Sequence, residues 1–214
     1  MKCPVCKTEC GEANKCHTCG FDQLNVEFLN KEDAAQWKRE ILLPFIKQQV
    51  CDPDDFLIED GILKDFSGEK PIVIIPNNIK ELETSLFWDN DNITSVIIPE
   101  GVYVVSDSAF YRCANLETAV LPKSIESIED FAFSECAKLK NITLPSEINK
   151  LGFCVFSECE SLSEVCIPDK IKELPEQAFS GCISLQKVML PNNLLSIEDH
   201  AFSECKKNNW SNYS

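Results

Sequence analysis

The sequence predicts an α/β repeat fold, a solenoid of stacked 23-residue coils preceded by a small N-terminal unit, and three observations carry this reading. Phenylalanine recurs every 23 residues at Phe87, Phe110, Phe133, Phe156, Phe179 and Phe202. An apolar residue followed by proline keeps the same beat at Ile75-Pro76, Ile98-Pro99, Leu121-Pro122, Leu144-Pro145, Ile167-Pro168 and Leu190-Pro191. A fixed period of this length marks an array in which each unit stacks on its neighbours, whereas a catalytic domain has no reason to keep it. Third, two Cys-x-x-C pairs at the start of the chain stand apart from the repeats.

At 214 residues the chain has room for one large or two modest domains, and the repeats claim roughly its last three quarters. The expected organisation is a metal-stapled unit over residues 1–22, a helical linker over 23–51 and the repeat array over 52–214, opened by a hairpin cap and incomplete at its C-terminal end. Formal net charge is -15, yet residues 1–50 carry seven Lys/Arg against seven Asp/Glu, so the excess acid lies wholly in the array. Such a surface repels nucleic acid and anionic membranes. No apolar stretch is long enough to cross a bilayer, and Met1-Lys2-Cys3-Pro4-Val5-Cys6 lacks the apolar core of a signal peptide, so a cytoplasmic location is expected. The 13 cysteines are odd in number and fall mostly in two ordered patterns, which favours reduced thiols over a disulfide scaffold.

The first pattern is Cys3-Pro4-Val5-Cys6 and Cys16-His17-Thr18-Cys19-Gly20, two knuckles separated by nine residues. Two thiolates spaced this way grip one metal ion from a tight turn, and two such turns complete a tetrahedron, so Cys3, Cys6, Cys16 and Cys19 are the expected ligands of a structural Zn2+. Cys10 and His17 are spare ligands. A segment this short has almost no core, so the metal would supply nearly all its folding free energy, about 10–16 kcal/mol at neutral pH. The stretch resembles the short zinc-ribbon family, with Lys7 where that family has glycine after the first knuckle. A closed site of four sulfurs leaves no open position for catalysis.

Asn30 can cap a helix whose first turn carries Glu32 and Asp33, and Ala34, Trp37, Ile41 and Phe45 recur at helical spacing. One amphipathic helix is expected over about residues 31–43, with Pro44 ending or kinking it. Downstream, Asp60-Gly61 separates two alternating apolar runs, Phe56-Leu57-Ile58-Glu59 and Ile62-Leu63-Lys64-Asp65-Phe66. A type I′ turn needs positive φ at both central positions, which this pair tolerates, so a hairpin is expected to cover the open N-terminal edge of the array.

Within one repeat the apolar columns are Leu116, Ala119, Leu121, Pro122, Ile125, Ile128, Ala132, Phe133 and Cys136, and the next units match them. Alternation at Val165-Cys166-Ile167 is strand-like, and the Ala-Phe stretch reads as a short turn or half-helix. Each unit has an apolar face and no partner of its own, so stacking must bury it. A buried phenylalanine contributes on the order of 2–3 kcal/mol, which makes the aromatic column the spine.

These columns resemble the leucine-rich repeat family, in particular the BspA-like subtype with its L-x-x-V-x-I-P…I-x-x-I…A-F-x-x-C frame, over residues 56–205. The resemblance implies a right-handed solenoid with one parallel sheet, used in that family for binding and often for surface adhesion. The chain departs from the general leucine-rich pattern where an asparagine ladder would sit, having Asn78, Gly101, Ser124, Glu147, Lys170 and Asn193.

Cys113, Cys136, Cys159, Cys182 and Cys205 share one column. Strands about 4.8 Å apart would bring such thiols within disulfide reach, but an odd fifth member favours buried apolar fillers. On the outward side of the expected strands lie Ile74, Ile97, Val120, Thr143, Cys166 and Met189, with Ser95, Thr118, Asn141, Glu164 and Lys187 two positions earlier. These stripes are the candidate binding face for a protein or peptide; the competing reading is strand-forming residues without a recognition role. Glu135, Glu158 and Glu204 form an acidic ridge that aids solubility. The frame fails at Asn208, Ser211 and Tyr213, where leucine, valine and isoleucine are due.

No nucleophile, base and oxyanion donors converge in the pattern, so the expected role is a non-catalytic interaction module, not an enzyme. The alternative makes the ribbon the working part, binding nucleic acid or a component of the transcription or translation apparatus, against which the neutral local charge argues. Oligomeric state is not encoded in these columns.

Overall fold

A computed structural model describes residues 50–205. The expected zinc ligands Cys3, Cys6, Cys16 and Cys19 and the expected helix over residues 31–43 lie outside the described residues.

The array is built as predicted on a strict 23-residue stagger. One six-stranded parallel sheet takes Ile72–Ile74, Ser95–Ile97, Thr118–Val120, Asn141–Ile142, Glu164–Cys166 and Lys187–Met189, with Val73 opposite Val96 and Val96 opposite Ala119. One residue of each strand points inward and is buried, from Val73 through Val96, Ala119, Ile142 and Val165 to Val188. Alternation along a strand then turns the flanking positions outward.

The expected single parallel sheet is corrected to three, the other two lying along a second column of strands. A second sheet joins Glu81–Leu82, Val104–Val105, Ser127–Ile128 and Lys150–Leu151 to the N-terminal hairpin, and Glu173–Leu174 pairs with Ser196–Ile197 along the same column. Each of these strands has only two residues, but the buried member, Leu82, Val105, Ile128, Leu151 or Leu174, anchors the side of the coil opposite the first sheet's apolar stripe.

The hairpin forms as expected. Phe56–Glu59 runs antiparallel to Ile62–Phe66, with Asp60 at φ 51° and Gly61 at φ 80°, the pair of left-handed residues a type I′ turn requires. Ile62 and Leu63 pair with Glu81 and Leu82, so the hairpin closes the N-terminal edge of the second sheet. Its Phe66 ring lies 5.1 Å from that of Phe87, capping the spine.

The six spine rings then stack at centroid separations of 5.0, 5.1, 5.7, 5.4 and 5.4 Å, with planes within 16° of parallel. Phe87, Phe110, Phe133, Phe156 and Phe179 are fully buried and Phe202 is half-buried.

The half-helix reading of the Ala-Phe stretch is corrected to an irregular turn, and among the described residues the only helical element is the 3-10 turn Pro53–Asp55, so the described array is β rather than α/β. Two left-handed residues per coil explain why. They recur at Ser85, Ser108, Phe131, Cys154, Gln177 and His200, and again at Asp89, Arg112, Glu135, Glu158, Gly181 and Glu204, with φ between 52° and 73°. An α-helix would direct these N–H groups to carbonyls four residues back in the same coil. The kinked turn sends them to the next coil instead: Ser108 donates to the Asp130 carbonyl, Phe110 to Ala132 and Arg112 to Ser134, at 2.9 Å each, and the same three bonds recur at each later interface. Left-handed non-glycine residues cost roughly 1–2 kcal/mol each, and the three bonds at each interface offset that cost.

Gly152 is required by a close approach, not by its φ. A Cβ there would sit 2.4 Å from the backbone of Glu129 and Asp130, while the Asp130 carboxylate accepts a hydrogen bond from the Phe153 N–H at 2.8 Å.

Candidate binding face

The outward columns of the first sheet stand where the sequence placed them, in register and about one strand spacing apart. Ile74 is 38% exposed, Ile97, Val120 and Met189 are partly exposed, and Thr143 and Cys166 are exposed. Two positions earlier Asn141, Glu164 and Lys187 are exposed and Thr118 is partly so. Ser95 is a correction: it is only 8% exposed, because its short side chain lies in register between Ile72 and Thr118, which cover it. The face is therefore an apolar column with a polar margin, in which the Lys187 ammonium lies 3.9 Å from the Glu164 carboxylate. Exposed pairs of this kind contribute at most about 1 kcal/mol and are free to exchange partners.

The cysteine column has a role beyond filling space. Each thiol donates to the carbonyl of the spine phenylalanine in the preceding coil: Cys113 to Phe87 at 3.0 Å, Cys136 to Phe110, Cys159 to Phe133 and Cys182 to Phe156 at 3.2 Å, and Cys205 to Phe179 at 3.1 Å. All five are free thiols. Burial pushes Cys113 up to about 12 and Cys136, Cys159 and Cys182 well above the ordinary thiol value of 9.0, so they are poor nucleophiles. On the acidic ridge, burial and then the charges of Glu204, Glu160 and Glu135 raise the Glu158 carboxyl above its ordinary value.

A second surface feature escaped the sequence reading. Trp88, Tyr111, Phe131 and Phe153 run edge to face across four coils, at ring separations of 5.6, 6.0 and 5.2 Å. Trp88 and Tyr111 share a column, but Phe131 and Phe153 each stand in another, so the 23-residue beat does not betray the stripe. Phe153 also lines an open cleft of about 570 Å³ with Pro175, Lys150, Lys172, Glu176 and Asp199 among its walls. Among the described residues no group of His, Cys, Asp or Glu is arranged to hold a metal ion, and no helix is long and apolar enough to cross a membrane.

The family model for the BspA type leucine-rich repeat region matches in six copies, over residues 66–127 and 104–211. The chain belongs to this family. Among solved structures, the leucine-rich repeat protein of T. pallidum is 25% identical with a TM-score of 0.60, over 74% of this chain and 84% of that one. A leucine-rich repeat protein from Bacteroides ovatus ATCC 8483 is 26% identical with a TM-score of 0.69, over 78% of this chain but only 46% of its own length. Pneumococcal vaccine antigen PcpA, at 22% identity and a TM-score of 0.58, shares the fold. A comparison with curated proteins returned no match. A BspA-type leucine-rich repeat scaffold is consistent with a non-catalytic interaction module, and the frame itself does not select the ligand.

Proposed function

We propose that the chain is a non-catalytic interaction module in which the outward columns of the first sheet engage a protein or an extended peptide. The observation that supports this reading is the register: Ile74, Ile97 and Val120 on adjacent strands line up as an accessible apolar stripe beside polar neighbours. Such a stripe offers a partner apolar area at its centre and hydrogen-bonding groups at its rim. In this reading Cys3, Cys6, Cys16 and Cys19 hold one structural Zn2+, and the unit they staple docks or tethers the array.

The experiment is affinity capture from native cell extract with the intact zinc-loaded chain, alongside the double variant Ile97→Asp, Val120→Asp. Both side chains face outward, so the variant should keep the wild-type far-ultraviolet spectrum and melting curve while losing the captured partner. A partner retained by the folded double variant would place binding elsewhere. For the zinc unit, metal analysis of the purified chain should give one zinc per chain, lost in Cys3→Ser, Cys16→Ser.

A further inference from the structure

The aromatic stripe on the turn side of the coils is separate from the sheet face, and none of its four rings belongs to the apolar core. Trp88 is 54% exposed, and Tyr111, Phe131 and Phe153 are half-buried, leaving ring surface open to water. We propose that the stripe and the cleft at its end form a second binding site, which takes an extended, Lys/Arg-rich segment of a partner protein.

Three observations select that occupant. First, the four rings follow one another at 5.6, 6.0 and 5.2 Å, a path matched by about five residues of extended chain. Second, the surroundings are acidic. Glu173, Glu176 and Asp199 border the cleft, and none of them is ion-paired to a described lysine or arginine. The cleft's own Lys150 is neutralised by Glu129, and Lys172 donates to the Asp169 carbonyl. The excess acid of the chain, moreover, lies in the array. Third, the stripe already holds one guanidinium. Arg112 lies over the Tyr111 ring, 6.0 Å from its centroid, while its Nε donates to Glu135 at 3.1 Å, and Glu135 also accepts the Tyr111 hydroxyl at 2.7 Å. An aromatic face with a carboxylate at its edge is the arrangement that holds a desolvated arginine, through cation–π attraction and a charge-assisted hydrogen bond. Phe153, which lines the cleft together with Glu176 and Asp199, repeats those elements with no described cation seated on its ring.

The test is fluorescence anisotropy with a labelled octapeptide of alternating Arg and Ala against the intact chain. An octapeptide of alternating Glu and Ala serves as control, at low and at moderate salt. Binding of the basic peptide should weaken as salt rises, and should fall at least about tenfold in Trp88→Ala and in the double variant Glu176→Lys, Asp199→Lys. Trp88, Glu176 and Asp199 are exposed, so these variants should fold, as melting curves will verify. The variant Ile97→Asp, Val120→Asp should bind the basic peptide as the wild type does, which separates this site from the sheet face. Equal binding of the acidic peptide, affinity unchanged in both the Trp88 and the charge-reversal variants, or loss only in the sheet-face variant would each overturn the proposal.

Discussion

The Cys136 thiol donates to the Phe110 carbonyl at 3.2 Å, and that same oxygen accepts the Cys113 N–H at 3.2 Å. One carbonyl thus fastens the end of its own turn and the thiol of the following coil. Cysteine suits this position because it is small and apolar yet carries a weak donor.

Cys136→Ala removes the donor and leaves a small void in a fully buried site, so it should destabilise the array by about 1–3 kcal/mol. Urea unfolding followed by circular dichroism measures this. A change within a few tenths of a kcal/mol would reduce the thiol to inert filling.

Thiol chemistry should divide by position. In the native protein at pH 8, iodoacetamide should reach exposed Cys166 well before Cys113, Cys136 or Cys159, which should label only once denaturant opens the coils. Peptide mass spectrometry reads the order directly. Burial raises the folded Cys113 value from 9.0 to about 12, so the unfolded chain releases its proton first as pH rises. The thiol's contribution to stability is therefore complete below about pH 9 and declines between pH 9 and about 12, which melting curves across that window will show.

The spine should be strongest in its middle. Phe133→Ala deletes a ring stacked on both faces and should cost about 3–5 kcal/mol, with faster hydrogen exchange in the coils on either side. Phe202→Ala, at a half-buried position, should cost less than half as much.

Gly152→Ala tests coil spacing. The new methyl would meet the backbone of Glu129 and Asp130 at 2.4 Å, where neither partner is a flexible side-chain tip, so neighbouring coils must separate. A loss of about 2–3 kcal/mol is expected in thermal or denaturant melts, of the size that overpacking a close contact produces.

Much of the array could be read from sequence because its determinants are periodic. Phe110, Phe133 and Phe156 mark the stagger, and Val96 and Val165 mark inward strand positions, so the register and the outward column followed. What was missed lacked a compositional signature. Ser127-Ile128 is too short to look like a strand, yet it belongs to a second sheet. Left-handed turns usually announce themselves with glycine, but here Ser108, Phe131 and Cys154 adopt them, held by bonds to the next coil that no local pattern encodes. Ser95 was placed outside by alternation alone, while its burial depends on the sizes of Ile72 and Thr118 beside it. The stripe keeps the 23-residue beat only from Trp88 to Tyr111 and changes column at Phe131 and again at Phe153, so aligning every 23rd residue breaks it up.

Three inter-coil bonds in each kinked turn run the same way. The peptide unit joining Asp107 to Ser108 accepts from the preceding coil through its oxygen and donates to the following coil through its N–H, and those joining Ala109 to Phe110 and Tyr111 to Arg112 do the same. Each such unit carries a dipole of about 3.5 D, and stacking aligns three of them per coil along the axis instead of letting them cancel. The turn side of the solenoid is therefore electrically polarised, negative toward the hairpin and positive toward His200 and Glu204, whereas bonds elsewhere on the coil, such as Glu117 N–H to the Thr94 carbonyl and Glu126 N–H to the Tyr103 carbonyl, run the other way.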